Sequence, residues 1–147
     1  MALAFRNVNA SPTDPVAAWP YEALVTCLER GLVPDWRPVF DQIRAHPWGS
    51  TARRVERICV TTQDRAVANL FRLAVDRARE DAQQVERTEV AERVRAAILA
   101  SGRTAAEFAA EVGTSASRLS TYASGRVMPS AAMLLRVERV ATELADT

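Results

Sequence analysis

Residues 104–130 read Thr104-Ala-Ala-Glu-Phe-Ala-Ala-Glu-Val-Gly113, then Thr-Ser115-Ala-Ser-Arg-Leu-Ser-Thr-Tyr-Ala-Ser-Gly125, then Arg-Val-Met-Pro129-Ser130. Thr104 suits a helix N-cap, and Glu107 follows at the spacing of a reciprocal capping box. Phe108, Ala109 and Val112 then fall on one face, which predicts a short helix with an inward stripe. Gly113 supplies the permissive backbone for a sharp turn. Ser115 is placed to cap a second short helix with Leu119 and Tyr122 inward, ended by Gly125. Ser130 is placed to cap a last helix, with Met133, Leu134, Val137, Val140 and Leu144 along one side.

Upstream, Val90, Val94, Ile98 and Leu99 mark the apolar stripe of a helix ending at Gly102. Two helices of about eight to ten residues around a glycine-containing turn meet the requirement of a helix-turn-helix. In such a unit the first helix braces against the DNA backbone and the second enters the major groove. Small outward residues, here Ala116, Ser117, Ser120 and Thr121, permit close approach to base edges. Arg118 beside them has the reach for guanine or phosphate.

This segment resembles the lambda-repressor and Cro-like family, also called XRE-type. The resemblance rests on the run Thr104 to Gly113, the segment Ser115 to Ser124, the Gly125-Arg126 pair and Pro129-Ser130. It implies base-reading positions at Ser115, Ala116, Ser117, Arg118 and Thr121, and phosphate contacts at Thr104, Arg126 and Arg103. Three positions depart from common family usage. Ala123 stands where many members carry glutamate, and Ala105 and Ala116 stand where many carry glutamine. The base preference of other members therefore does not carry over. The family's fifth helix is at most partial here.

The first part of the chain resembles no family that its residues identify. Six of the seven prolines lie between Pro12 and Pro47, and no Gly or Pro lies between Gly49 and Gly102. Period-2 alternation is absent while 3.6-residue spacing recurs, so the chain reads as all-α. A helix is expected after Trp19, with Leu24, Val25 and Leu28 on one face and Gly31 past its end. A second should start near Asp35, with Pro38 in its first turn and Val39, Phe40 and Ile43 inward. A third opens at Ser50 and carries Val55, Ile58 and Cys59. A fourth opens at Thr62 and carries Val67, Leu70, Phe71, Ala74 and Val75. The polar stretch from Arg77 to Arg87 reads either as the exposed end of a long helix or as a linker. Trp19, Trp36 and Trp48 beside prolines are expected to pin helix ends onto a small core, the alternative being a ligand pocket or partner groove.

The resulting organisation is a flexible lead-in at 1–12, a helical domain at 13–80 for dimerisation or partner binding, and a helix-turn-helix domain at 81–147. All 19 basic residues are arginine, against 18 acidic ones, for a formal net charge of +1. Affinity for nucleic acid must therefore come from local placement of charge. Cys27 and Cys59 sit in apolar-patterned stretches and read as buried free thiols. His46 has no ligand-type partner nearby. No nucleophile–base pair, metal-ligand spacing or glycine-rich phosphate loop is present, so no catalytic role, metal or cofactor is expected. No apolar run reaches the ~20 residues of a membrane span. The expectation is a cytoplasmic, DNA-binding transcription regulator, a repressor acting as a homodimer on double-stranded DNA. The alternative is an antitoxin-like protein whose first domain neutralises a toxin while the helix-turn-helix autoregulates its operon.

Overall fold

A computed structural model describes residues 2–147. Among the described residues the backbone is helical with no strand. Helix α1 spans Tyr21–Arg30, α2 Val33–Ala45, α3 Ser50–Thr61, α4 Arg65–Ser101, α5 Ala105–Val112, α6 Ala116–Ala123 and α7 Ala131–Ala145. A short 3-10 turn, Val16–Ala18, precedes α1. The chain divides into two units, Met1–Ala82 and Gln83–Thr147, and α4 runs from the first into the second.

The first unit closes around Leu24, Leu28, Val39, Ile43, Val55, Ile58, Phe71 and Val75, all essentially buried. Trp19 is buried and its indole Nε1 donates to the Asp14 carbonyl at 3.0 Å. Trp36 Nε1 donates to the Cys27 carbonyl at 2.8 Å, and its ring meets Phe71 edge-on at 5.4 Å. Gly31 makes that approach possible: a Cβ there would lie 2.3 Å from the Cys27 carbonyl oxygen and 3.2 Å from Trp36 Nε1. Two tryptophans thus pin helix ends as expected, whereas Trp48 remains 46% exposed. Three arginines tie loops to helices rather than facing solvent alone. Arg54 Nη1 donates to the Trp19 carbonyl, Arg65 Nη1 to the carbonyls of Cys59 and Thr62, and Arg79 Nε to that of Pro47. Residues 2–12 form no helix, yet Leu3, Phe5 and Val8 pack on this core, which a frayed lead-in would not do.

Some helix starts differ from the sequence expectation, for local reasons. Helix α2 begins two residues earlier than Asp35, because the Asp35 carboxylate accepts the Leu32 N–H at 2.8 Å and recruits the preceding turn. Pro34 then occupies the first turn, where a missing donor costs nothing, and Pro38 lies inside the helix. Helix α4 begins at Arg65 and not at Thr62. Asp64 Oδ1 accepts from the N–H groups of Ala66 and Val67, while the Thr62 N–H closes α3 on the Ile58 carbonyl. Of the two readings for Arg77 to Arg87, the helical one is what the structure shows. Leu70 is exposed instead of inward, while Phe71 and Val75 are fully buried.

The second unit is a separate core of Val94, Phe108, Ala109, Val112, Leu119, Val137 and Ala141, with Ile98, Tyr122, Met133 and Leu134 partly buried around it. It brings the end of α4 together with α5, α6 and α7. Leu99, assigned to the stripe of α4, is 84% exposed. The buried stripe runs Ala91, Val94, Ala97 and Ser101, so Leu99 projects from a different side of the helix. Arg93 Nη2 stands 2.5 Å from Glu138 Oε1 and links α4 to α7. Both side chains are half-exposed, so the pair contributes no more than about 1 kcal/mol.

Candidate nucleic-acid interface

Helix α5 is set by its cap. The Thr104 N–H donates to Glu107 Oε2 at 2.9 Å, and the Glu107 N–H donates to Thr104 Oγ1 at 3.2 Å. The Thr104 backbone N–H, with the Thr104 side chain second, holds the Glu107 carboxyl below the usual carboxylate range. The helix ends at Gly113, which is left-handed at φ +83°. Its N–H donates to the Ala110 carbonyl and the Thr114 N–H to the Ala109 carbonyl, closing the last turn as a Schellman motif. That closure reverses the chain within a few residues.

Helix α6 follows at once. Ser115 Oγ accepts the Arg118 N–H at 3.1 Å, so the helix starts at Ala116. Leu119 is fully buried and Tyr122 half-buried, which turns the other face outward. Ser115, Ala116, Ser117, Arg118 and Ser120 are exposed. Thr121 is half-buried, and its hydroxyl donates to the Arg118 carbonyl at 2.6 Å. Ser117 Oγ lies 3.3 Å from Ser115 Oγ, a contact that either hydroxyl can donate.

Arg103 is exposed ahead of the α5 cap, Thr104 forms that cap, and Arg126 is exposed just after Gly125. Among the described residues neither Arg103, Arg118 nor Arg126 is ion-paired with a carboxylate. The face therefore presents small polar side chains and free guanidinium groups, the chemistry that base edges and phosphates accept. One feature of this region escaped the sequence reading. Arg95 Nη1 donates to the Ala123 carbonyl at 2.5 Å, anchoring the last turn of α6 to α4. The alanine at 123 was legible as a departure, but not which cation would take its carbonyl.

Two short helices joined by a tight turn, with the second presenting an open polar face, define a helix-turn-helix unit. Residues 94–140 match the helix-turn-helix family model, of the lambda-repressor/Cro-like XRE type, so the C-terminal part of the chain carries that domain. The match covers less than half of the chain, and it includes every candidate contact residue named above. Comparison with curated proteins and with solved structures returned no match. The match supports a DNA-binding transcription regulator. No helix among the described residues is long and apolar enough to cross a membrane.

Proposed function

We propose that the protein is a sequence-specific, cytoplasmic transcription repressor that binds a paired operator in double-stranded DNA as a homodimer. The observation that carries this reading is the first turn of α6. Ser115 to Arg118 are exposed, while Leu119 and the Arg95 contact hold the helix in place. A recognition helix needs both properties: an open face and a fixed mounting. Arg118 reads a base edge, Ser117 and Thr121 support it, and Thr104, Arg103 and Arg126 grip phosphates on either side.

One such unit makes few contacts, so tight specific binding requires two recognition helices in successive major grooves about 34 Å apart. The first unit supplies the dimer contact in this account. Phe71 and Val75 are consumed by its own core, which leaves Leu70 and Leu73, one turn apart on α4 and both exposed, as the apolar contacts. Sedimentation of the full chain tests this part: a dimer at micromolar concentration, lost on Leu73→Glu, is expected. A monomer would instead favour the toxin-neutralising alternative, in which this face meets another protein. Selection of bound duplexes from a random pool tests the function itself, and an enriched inverted repeat is expected.

A further inference from the structure

Beside the second unit's helix-turn-helix lies a polar groove of about 250 Å³ lined by Gln84, Arg87, Thr88, Ala91, Arg95, Ser124 and Gly125. Gly125 lies beside α4 at its floor: a Cβ there would make ordinary van der Waals contact, 3.6 Å from Ala91 Cβ and 3.8 Å from the Arg87 carbonyl oxygen. Two cations border it. Arg87 and Arg95 stand two helical turns apart on one side of α4, both exposed, and among the described residues neither is ion-paired with a carboxylate. The neighbours of Arg87 one turn away along the helix are Gln83, Gln84, Val90 and Ala91, so no acidic side chain is placed to neutralise it. Glu89 and Glu92 line a neighbouring depression with Val85, which shares Gln84 and Thr88 with the groove. Arg95 has Glu92 three residues before it, so the uncompensated cation of the groove is Arg87, on the side of α4 that meets Ser124 and Gly125. Arg95 spends one N–H on the Ala123 carbonyl, and a guanidinium has five.

We propose that this groove holds a backbone phosphate of the bound duplex, with Arg87 as the principal contact and Arg95 and the Ser124 hydroxyl beside it. Arg87 lies outside the segment that matches the family model, which begins at residue 94. The contact is therefore an addition made by the upstream extension of α4. The inference rests on the DNA-binding reading above. It extends the footprint past the end of α6 and raises affinity without reading sequence.

The test uses the full chain and two fluorescein-labelled duplexes, one returned by random-pool selection and its scrambled counterpart. Anisotropy titrations over a salt series compare the wild type with Arg87→Gln and Arg87→Lys. Arg87→Gln is expected to weaken both duplexes by the same factor and to lower the salt slope by about 1 per subunit. Arg87→Lys is expected to keep the slope. In a second arm, single phosphates of the selected duplex are replaced by methylphosphonate. One replacement per half-site should cost the wild type affinity but leave Arg87→Gln unaffected. An unchanged slope in Arg87→Gln, with tight wild-type binding, overturns the groove and leaves the helix-turn-helix reading standing. So does a loss confined to the selected duplex. Failure of the wild type to hold either duplex overturns both.

Discussion

Arg118 is the residue on which base readout depends in this account. It is exposed at the start of α6 and among the described residues its guanidinium is not ion-paired with a carboxylate, so its side chain is free for DNA. Arg118→Ala should weaken binding to the selected duplex by about 1–3 kcal/mol while leaving the scrambled duplex nearly unchanged. Titration at fixed salt, with helicity checked by circular dichroism, measures this. The buried thiols bear on stability. Burial, with Asp35 adding to it, pushes the Cys27 thiol from its ordinary value of 9.0 up to about 12, and burial likewise raises Cys59. A raised thiol pKa favours the neutral form in the fold. Its contribution is complete below the unfolded value and is lost as pH rises through the folded one. Denaturation midpoints should therefore fall between about pH 9 and pH 12, less steeply in Cys27→Ala. A flat profile over that window would show that burial does not hold the thiols protonated.

At the scale of the element, caps were legible and stripes were not always. Thr104, Ser115 and Ser130 act as the N-caps that their side chains and spacing suggested, because a cap is decided within one turn of chain. Leu99 and Leu70 were misassigned because an apolar run on a helix admits neighbouring stripes, and packing partners elsewhere choose between them. The start of α4 was misplaced for a related reason, since Thr62 and Asp64 are both good caps and only one can open the helix. Gly113 offers a clean test of the turn. Nothing lies within 4 Å of where its Cβ would be, so Gly113→Ala meets no clash. It pays only for the left-handed backbone, and should destabilise the second unit by about 1–2 kcal/mol in chemical denaturation. No change would mean the turn does not need that conformation. Residues 83–89 of α4 are all exposed, so no side chain there is packed into either core. Their amides should exchange faster than those near Phe71 or Val94 on the same helix.

For the whole molecule, a net charge of +1 gives no strong global field, so salt-dependent affinity is expected from the few guanidinium groups of the second unit proposed to meet phosphates. Each phosphate contact contributes about 0.9 to the slope, so non-specific binding should be weak and its slope no steeper than about −5 per subunit. A steeper slope would place DNA against the first unit as well. The helix-turn-helix was legible from sequence because its signals are local and ordered: cap, stripe, glycine, cap. The work of the first unit was not, since its pattern specifies a core and leaves the outer face unspecified. The central claim, that α6 reads DNA sequence, is tested most directly by random-pool selection run in parallel with the wild type and Arg118→Ala. The account predicts an inverted repeat with half-site centres about one helical turn apart, and loss of preference at one base pair per half-site in the variant. Enrichment no greater than that of a protein-free control, or an identical motif from both proteins, would contradict it.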